Sequence, residues 1–82
     1  MERYCTLDRL PPGMSARVIG IETDGDMRRR FMDMGLIRGT AVECVGRSPG
    51  GDPSAYLIRG AVIAIRSEDT KSIQVTAETG GE

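Results

Sequence analysis

The chain has 82 residues, 11 of them basic and 12 acidic, with no histidine, no tryptophan and a formal net charge of −1. This length fits one domain with a modest core, and the balanced charge argues against broad non-specific binding to nucleic acid. Because the commonest general base and metal ligand is missing, we expect no enzyme, no cofactor and no metal centre.

The two cysteines and the apolar runs bear on the cellular compartment. Cys5 and Cys44 have neither the spacing of a metal-ligand pair nor that of a disulfide framework. The longest apolar runs, such as residues 61–65, are too short to span a bilayer, and no basic-then-apolar leader opens the sequence. We therefore expect a reduced, cytoplasmic chain that does not itself span the membrane, with Cys44 buried and Cys5 exposed.

The first part of the chain predicts a helical turn followed by a strand. Leu7 and Leu10 form a short apolar pattern for which Thr6 stands at the N-cap position, and the Pro-Pro-Gly of residues 11–13 ends it in a turn. Alternation and β-branched residues then predict a strand over residues 16–21.

A short amphipathic helix is predicted next. From Met27 the apolar spacing changes to that of a helix, with Met27, Phe31 and Met34 on the buried face, over about two and a half turns of ~3.6 residues. Met32 falls on the opposite face, where an exposed methionine suits an adaptable protein contact. Core packing therefore explains two of these three methionines better than metal binding does.

Residues 31–40, Phe-Met-Asp-Met-Gly-Leu-Ile-Arg-Gly-Thr, contain two glycines whose role has to be decided. A phosphate-binding loop places its glycines before a helix, whereas here the helix comes first. We predict that Gly35 ends the helix in the left-handed conformation and that Leu36 packs back on the last turn. Residues 37–39 then form a second turn that leads into the next strand.

The second half of the chain predicts four more short strands. A loop of turn-forming residues separates the first of these strands from the second. An Arg-Gly turn joins the second strand to the third, and a polar helical turn precedes the fourth strand. In chain order these are the strand 40–47, the loop 48–54, the strand 55–58, the turn 59–60, the strand 61–65, the helical turn 67–72, the strand 73–76 and the tail 77–82. The pattern predicts an all-β fold: a small, nearly closed β-barrel of about five strands with one short helix inserted after the first strand.

Four segments together resemble the family of ferrous iron transport protein A (FeoA). The first segment matches the family's leading Pro-Gly. The second matches a segment of basic residues followed by spaced Leu or Met, a Gly, and then Gly-Thr or Gly-Ser. The third matches the family's Pro-x-Gly-Asp-Pro loop, and the fourth matches its Arg-Gly strand. The four segments are residues 11–13, 28–40, 48–53 and 59–66. The likeness covers roughly residues 7–77, with Phe31 where Leu is usual and Arg38 where Pro is usual.

The resemblance implies an SH3-like β-barrel as a single domain over residues 1–82, with its core at about 7–77 and a flexible tail at 78–82. It implies a cytoplasmic accessory or adaptor protein of bacterial ferrous iron uptake, which binds and modulates a membrane Fe(II) transporter with a cytoplasmic GTPase domain. Such a chain would lie at the inner face of the membrane through that partner, as a monomer or weak homo-oligomer, without nucleic acid. The alternative is a regulatory module of the kind found at the C-terminus of iron-dependent transcriptional repressors.

The resemblance also suggests where a partner would bind. In SH3-like barrels a groove lies between the long insertion after the first strand and the loop joining the next two strands, here residues 24–38 and 48–54. We predict a shallow apolar groove there. The arginine triplet at 28–30 is explained more simply as a solvated helix face than as an anionic docking surface, and an arginine finger for a GTPase partner is the third alternative. The predicted partner-binding residues are Arg28, Arg29, Met32, Leu36, Pro49, Asp52, Pro53 and Tyr56.

Overall fold

The structure is a computed structural model that describes residues 4–78. Within these residues the chain forms β-strands β1 (Tyr4–Thr6), β2 (Ser15–Ile21), β3 (Ala41–Arg47), β4 (Ser54–Ile58), β5 (Ala61–Ile65) and β6 (Ile73–Glu78), helices α1 (Gly25–Met34) and α2 (Ser67–Thr70), and a 3₁₀ turn (Leu7–Arg9). Within residues 4–78, neither helix has the length and the apolar character of a membrane-spanning segment.

The strands form one antiparallel sheet in the order β1-β6-β2-β3-β4-β5, so that β1 and β5 are its edges. The register shifts between Val18 and Gly20 in β2 and between Cys44 and Gly46 in β3. Such bulges increase the local twist and bend a strand. The sheet therefore curls into an SH3-like barrel.

The core lies inside this curled sheet and under α1. Two of the few aromatic residues, Phe31 and Tyr56, have the largest of the fully buried side chains. The buried apolar residues are Leu7, Leu10, Ala16, Val18, Phe31, Leu36, Val42, Cys44, Tyr56, Ile58, Ile65, Ile73 and Val75. The Tyr56 hydroxyl donates to the Leu7 carbonyl (3.5 Å) and links β4 to the turn that follows β1.

The predicted strands are confirmed, with small differences at their ends, but the prediction missed β1. The inserted helix therefore follows the second strand and not the first. The predicted tail also needs a correction, because β6 continues through Glu78. The rest of that tail, residues 79–82, lies outside the described residues.

Candidate partner-binding surface

Helix α1 has the amphipathic character that the sequence predicts. Phe31 is buried, and Met27 and Met34 pack partly buried against the core. On the other face, Arg29 is exposed and Met32 is 46% exposed. The helix therefore fixes its orientation through three core contacts and leaves a methionine beside arginines at the surface.

A Schellman motif ends α1, as predicted. Gly35 has φ 98°, and its N–H donates to the Met32 carbonyl (3.0 Å). The N–H of Leu36 donates to the Phe31 carbonyl (2.9 Å), and the Leu36 side chain is fully buried. These two bonds satisfy carbonyls that the helix leaves unpaired, and the buried leucine fixes the direction of the chain after the helix.

The predicted second turn presents two further side chains next to α1. The Thr40 N–H donates to the Ile37 carbonyl (3.0 Å), and Gly39 adopts φ 92° between them. The Gly39 N–H also donates to the Val18 carbonyl (2.8 Å), which ties the turn to β2. As a result Ile37 is 43% exposed and Arg38 is exposed.

These elements surround a shallow depression of about 360 Å³ between β2 and α1. Its accessible lining includes residues 19–21 of β2, Arg28 and Met32 of α1, and Ile37 and Arg38 of the following turn. The Arg28 guanidinium donates to the Ile21 carbonyl (3.2 Å) at one side. We call the exposed set Arg28, Arg29, Met32, Ile37 and Arg38 the α1 surface.

Two residues predicted to line a partner groove are core residues instead. Leu36 has no accessible surface and Tyr56 keeps only 1%. Burial raises the pKa of Tyr56, an effect that outweighs the lowering by hydrogen bonds with Ser54 and Thr70. Neither side chain offers a contact to a partner in this structure.

The groove between α1 and the loop at 48–53 stays a prediction, and the two walls predicted for it adjoin opposite ends of β3. The turn after α1 leads into the first residue of β3, whereas the loop follows the last residue of that strand. A strand of this length separates the two by about 20 Å at ~3.3 Å per residue. Pro49, Asp52 and Pro53 are exposed there, and their contact with a partner stays a prediction.

Asp52 has a structural contact of its own. Its Oδ1 accepts a hydrogen bond from the Ser67 N–H (2.8 Å), the first backbone donor of α2. The first N–H groups of a helix have no partner within the helix, and a carboxylate is favoured there by the helix dipole. Asp52 therefore ties the loop at 48–53 to α2.

The cysteines form no evident metal site. Cys44 is buried, as predicted, while Cys5 is half-buried. Burial, followed by the nearby Asp8 carboxylate, raises the pKa of the Cys5 thiol and disfavours the thiolate that binds metals. Among residues 4–78, no three His, Cys, Asp or Glu side chains are grouped to hold a metal ion.

Another depression on the barrel lies beside Cys5. It measures about 750 Å³ and is lined by Tyr4, Cys5, Thr6, Arg9, Ile19 and Gln74. One of its polar groups is already engaged, because the Gln74 amide donates to Glu22 (2.8 Å). Its size alone does not make it the better candidate, since the α1 surface combines two exposed apolar side chains with several cations.

The fold is a small SH3-like barrel whose inserted helix exposes methionine and arginine side chains. The family model described as "FeoA domain" matches residues 5–77 of this chain. The chain belongs to the FeoA family, which is linked to ferrous iron transport.

Relatives of known sequence and structure agree with this assignment. A fusion protein of Fe(2+) transport protein A and Fe(2+) transporter FeoB from Porphyromonas gingivalis is 32% identical over 69 residues, which are 84% of this chain and 8% of the fusion protein. The FeoA-like protein of Clostridium acetobutylicum is 33% identical with a TM-score of 0.88, over 100% of this chain and 95% of that one. The FeoA of Stenotrophomonas maltophilia, described as an SH3 domain protein in complex with zinc, is 28% identical with a TM-score of 0.77, over 85% and 87% of the two chains.

The fold also occurs in a manganese-dependent transcriptional repressor. That protein is 19% identical with a TM-score of 0.82, over 95% of this chain and 44% of the repressor. At this identity the likeness concerns the fold alone.

Proposed function

We propose that this chain is a non-enzymatic accessory protein of bacterial ferrous iron uptake. It acts at the inner face of the cytoplasmic membrane, where its α1 surface binds a membrane Fe(II) transporter that carries a cytoplasmic GTPase domain. The observation that carries this proposal is the pair of exposed apolar side chains, Met32 and Ile37, beside a depression bordered by Arg28 and Arg38.

The fusion protein of Porphyromonas gingivalis supports the choice of partner. It joins an FeoA-like part to a ferrous iron transporter in one chain, of which our chain spans 8%. A covalent link raises the effective concentration of one domain at the other, often to millimolar values. Contact between the two parts still needs a surface on the FeoA domain, and the α1 surface has the composition for it.

The apolar and the charged side chains of the α1 surface would contribute to partner binding in different ways. Met32 and Ile37 are 46% and 43% exposed, so contact with a partner would bury apolar area that is now in water. Methionine is flexible and adapts to an irregular partner surface. The neighbouring arginines would speed encounter with an acidic surface and fix the orientation of docking.

Partner binding is tested first with the transporter in native membranes. Purified chain is incubated with membranes that contain the transporter, with and without a GTP analogue, and the retained chain is measured, followed by a GTPase assay. We expect Met32→Asp to abolish retention and any effect on hydrolysis. Val45→Asp is the matched control, because Val45 is also 43% exposed but lies in β3. Equal retention of the wild type and both variants would refute the proposal.

The alternative, a regulatory module like that of the repressors, draws on the fold likeness alone. A neighbouring reading frame for a membrane protein with a GTP-binding motif favours the accessory protein. A helix-turn-helix segment fused to the domain favours the regulator. Iron uptake measured in cells with Met32→Asp separates the two, because a regulator would change transporter abundance whereas an accessory protein changes uptake at constant abundance.

A further inference from the structure

The depression between β2 and α1 is positively charged. Its lining contains two exposed arginines, Arg28 of α1 and Arg38 of the turn that follows the helix. Among the described residues that line it there is no aspartate or glutamate, although the chain as a whole has 12 acidic residues against 11 basic ones. A concave surface that carries cations and no carboxylates attracts an anionic group.

The backbone positions from which both arginines extend are fixed. The Arg28 guanidinium donates to the Ile21 carbonyl (3.2 Å), which ties it to the last residue of β2. This bond uses one N–H of the guanidinium and leaves others that can donate to a carboxylate, often two at once. Arg38 belongs to the turn that the Gly39 N–H ties to the Val18 carbonyl (2.8 Å). Because these elements are ordered in advance, less conformational freedom is lost when a partner binds.

The rest of the accessible lining is mostly apolar. Ile19 and Ile21 are half-buried on the β2 side, and Met32 and Ile37 are 46% and 43% exposed on the α1 side. A free inorganic anion would leave this apolar area in water, whereas a peptide segment covers it with the side chains next to its carboxylate. The lining therefore favours a carboxylate that has apolar neighbours in its own chain.

A second depression argues against a flat anionic surface such as a membrane. It shares Arg28 and Met32 with the first depression, measures about 470 Å³, and is also lined by Asp26 and Asp33. An anionic membrane that contacted Arg28 and Met32 would approach these two carboxylates as well, and the juxtaposition of like charges is unfavourable. A short segment seated in the first depression avoids both of them.

We propose that the depression between β2 and α1 takes a short segment of the transporter in which a carboxylate stands between apolar side chains. The carboxylate accepts hydrogen bonds from Arg28 and Arg38, and the apolar side chains cover Met32 and Ile37. This inference rests on the proposed function, because it names what the transporter presents to the α1 surface. Since the contact lies at the surface of the chain, its charge-dependent part weakens with salt.

The test uses the purified chain and a peptide, so that its outcome does not depend on the transporter. The probe is Leu-Ser-Glu-Ser-Leu with acetylated and amidated ends, which in an extended form presents its glutamate and both leucines on one face. The matched probe has glutamine in place of glutamate. In an NMR titration at low salt we expect the glutamate peptide to bind about tenfold more tightly, with shifts at the Nε–H signals of Arg28 and Arg38.

Three variants assign this preference to the two arginines. Arg28→Gln and Arg38→Gln should each reduce the preference for glutamate over glutamine. Arg66→Gln is the matched control, because Arg66 is exposed but is not one of the residues of the α1 surface, and it should keep the preference. Arg28→Gln also removes the bond to the Ile21 carbonyl, whereas Arg38→Gln leaves that bond in place and so guards against a local folding defect.

Several outcomes would overturn the inference. They are equal binding of the two peptides, no binding of either at millimolar concentration, and a preference that survives both Arg28→Gln and Arg38→Gln. Phosphate ions that shift the same signals as strongly as the glutamate peptide would also overturn it, because the site would then take a free anion. Vesicles of phosphatidylglycerol that retain the wild type but neither variant would overturn it in favour of a lipid headgroup.

The inference and the proposed function can fail separately. If the transporter binds the α1 surface with the same affinity in the wild type, Arg28→Gln and Arg38→Gln, this inference alone is wrong. If the chain prefers the glutamate peptide through Arg28 and Arg38 but does not bind the transporter, the proposed function is wrong and the chemistry of the site is supported.

Discussion

The side chain of Arg59 lies directly over the α-carbon of Gly35. A Cβ built on Gly35 would overlap Arg59 Cδ and lie 3.2 Å from its Cγ. Arg59 adopts φ 50° in the two-residue turn between β4 and β5, where Gly60 also has positive φ. The contact therefore joins the C-terminal end of α1 to that turn and places a cation near the negative end of the helix dipole.

Gly35→Ala should destabilise the fold, because alanine at φ 98° is strained. We expect the free energy of unfolding to fall by about 1–2 kcal/mol, measured by urea denaturation. Gly39→Ala is the matched control: Gly39 has φ 92° but nothing lies within 4 Å of the added Cβ. It reports the backbone strain without the contact with Arg59.

The contribution of Arg59 itself follows from a double-mutant cycle. Arg59→Ala removes the side chain that a Cβ on Gly35 would overlap. Arg59→Ala should therefore lower the free energy of unfolding less in the Gly35→Ala background than in the wild type. Equal costs in both backgrounds, together with a Gly35→Ala variant as stable as the wild type, would contradict the close approach described above.

Stability should fall at high pH because Tyr56 is buried. Burial raises the pKa of Tyr56, so above a pH of about 10 the unfolded chain ionises at this residue before the folded chain does. The unfolded state then binds fewer protons, and the free energy of unfolding decreases as pH rises, by at most about 1.4 kcal/mol per pH unit. The stabilisation linked to Tyr56 is fully present below the pKa that this residue has in the unfolded chain. It is lost as pH rises through the higher pKa that Tyr56 has in the folded chain.

Tyr56→Phe isolates this titration. In this variant the free energy of unfolding should decrease less steeply between neutral and alkaline pH than in the wild type. The measurement is denaturation at a series of pH values. At neutral pH it should cost no more than about 1 kcal/mol, because the hydrogen bond to the Leu7 carbonyl is long at 3.5 Å. An identical pH slope in both proteins would show that Tyr56 is not buried as described.

Asp52→Ala should loosen the loop at 48–53 from α2. The variant loses the acceptor of the Ser67 N–H, and we expect a destabilisation of about 1 kcal/mol. Asp52→Asn is the control, since its side-chain oxygen can accept the same bond without the charge, and it should cost less. Faster exchange of the Ser67 amide in Asp52→Ala alone would confirm the assignment; unchanged exchange in both variants would contradict it.

Arg29→Glu should weaken transporter binding in a salt-dependent way. Reversing an exposed charge mainly changes the association rate, by about three- to tenfold at low ionic strength, and the difference should shrink as salt screens it. Arg9→Glu is the control, because Arg9 is exposed in the 3₁₀ turn and is not one of the residues of the α1 surface. Equal effects of the two substitutions would indicate a general charge effect and no docking at the α1 surface.

Local signals explain what could be predicted from the sequence. The end of α1 at Gly35 depends on neighbouring residues only, and the structure confirms it. Strand β1 was missed because its three residues gain their conformation by pairing with β6, about 70 residues away: Tyr4 lies opposite Thr76 and Cys5 opposite Val75. Three residues are too few for an alternating pattern to emerge.

Two residues predicted for the groove, Tyr56 and Leu36, are buried for two physical reasons. In β4 both faces are apolar, with Tyr56 and Ile58 pointing inward and Ala55 and Leu57 outward, so alternation alone does not say which face is buried. Leu36 was expected both to pack on the helix and to face a partner. The hydrogen bonds of the Schellman motif direct its side chain into the core, so it packs and does not face a partner. Ile37 was missed because an isolated apolar residue in a turn carries no periodic signal.

The central claim is that the α1 surface is the contact with the transporter. It is tested most directly by an NMR titration of the isotope-labelled chain with the transporter's purified cytoplasmic GTPase domain. We predict that the amide signals of Arg28, Arg29, Met32, Ile37 and Arg38 shift or broaden saturably, and that the Met32 methyl group moves most. Binding that saturates while all of these signals stay unchanged would contradict the account.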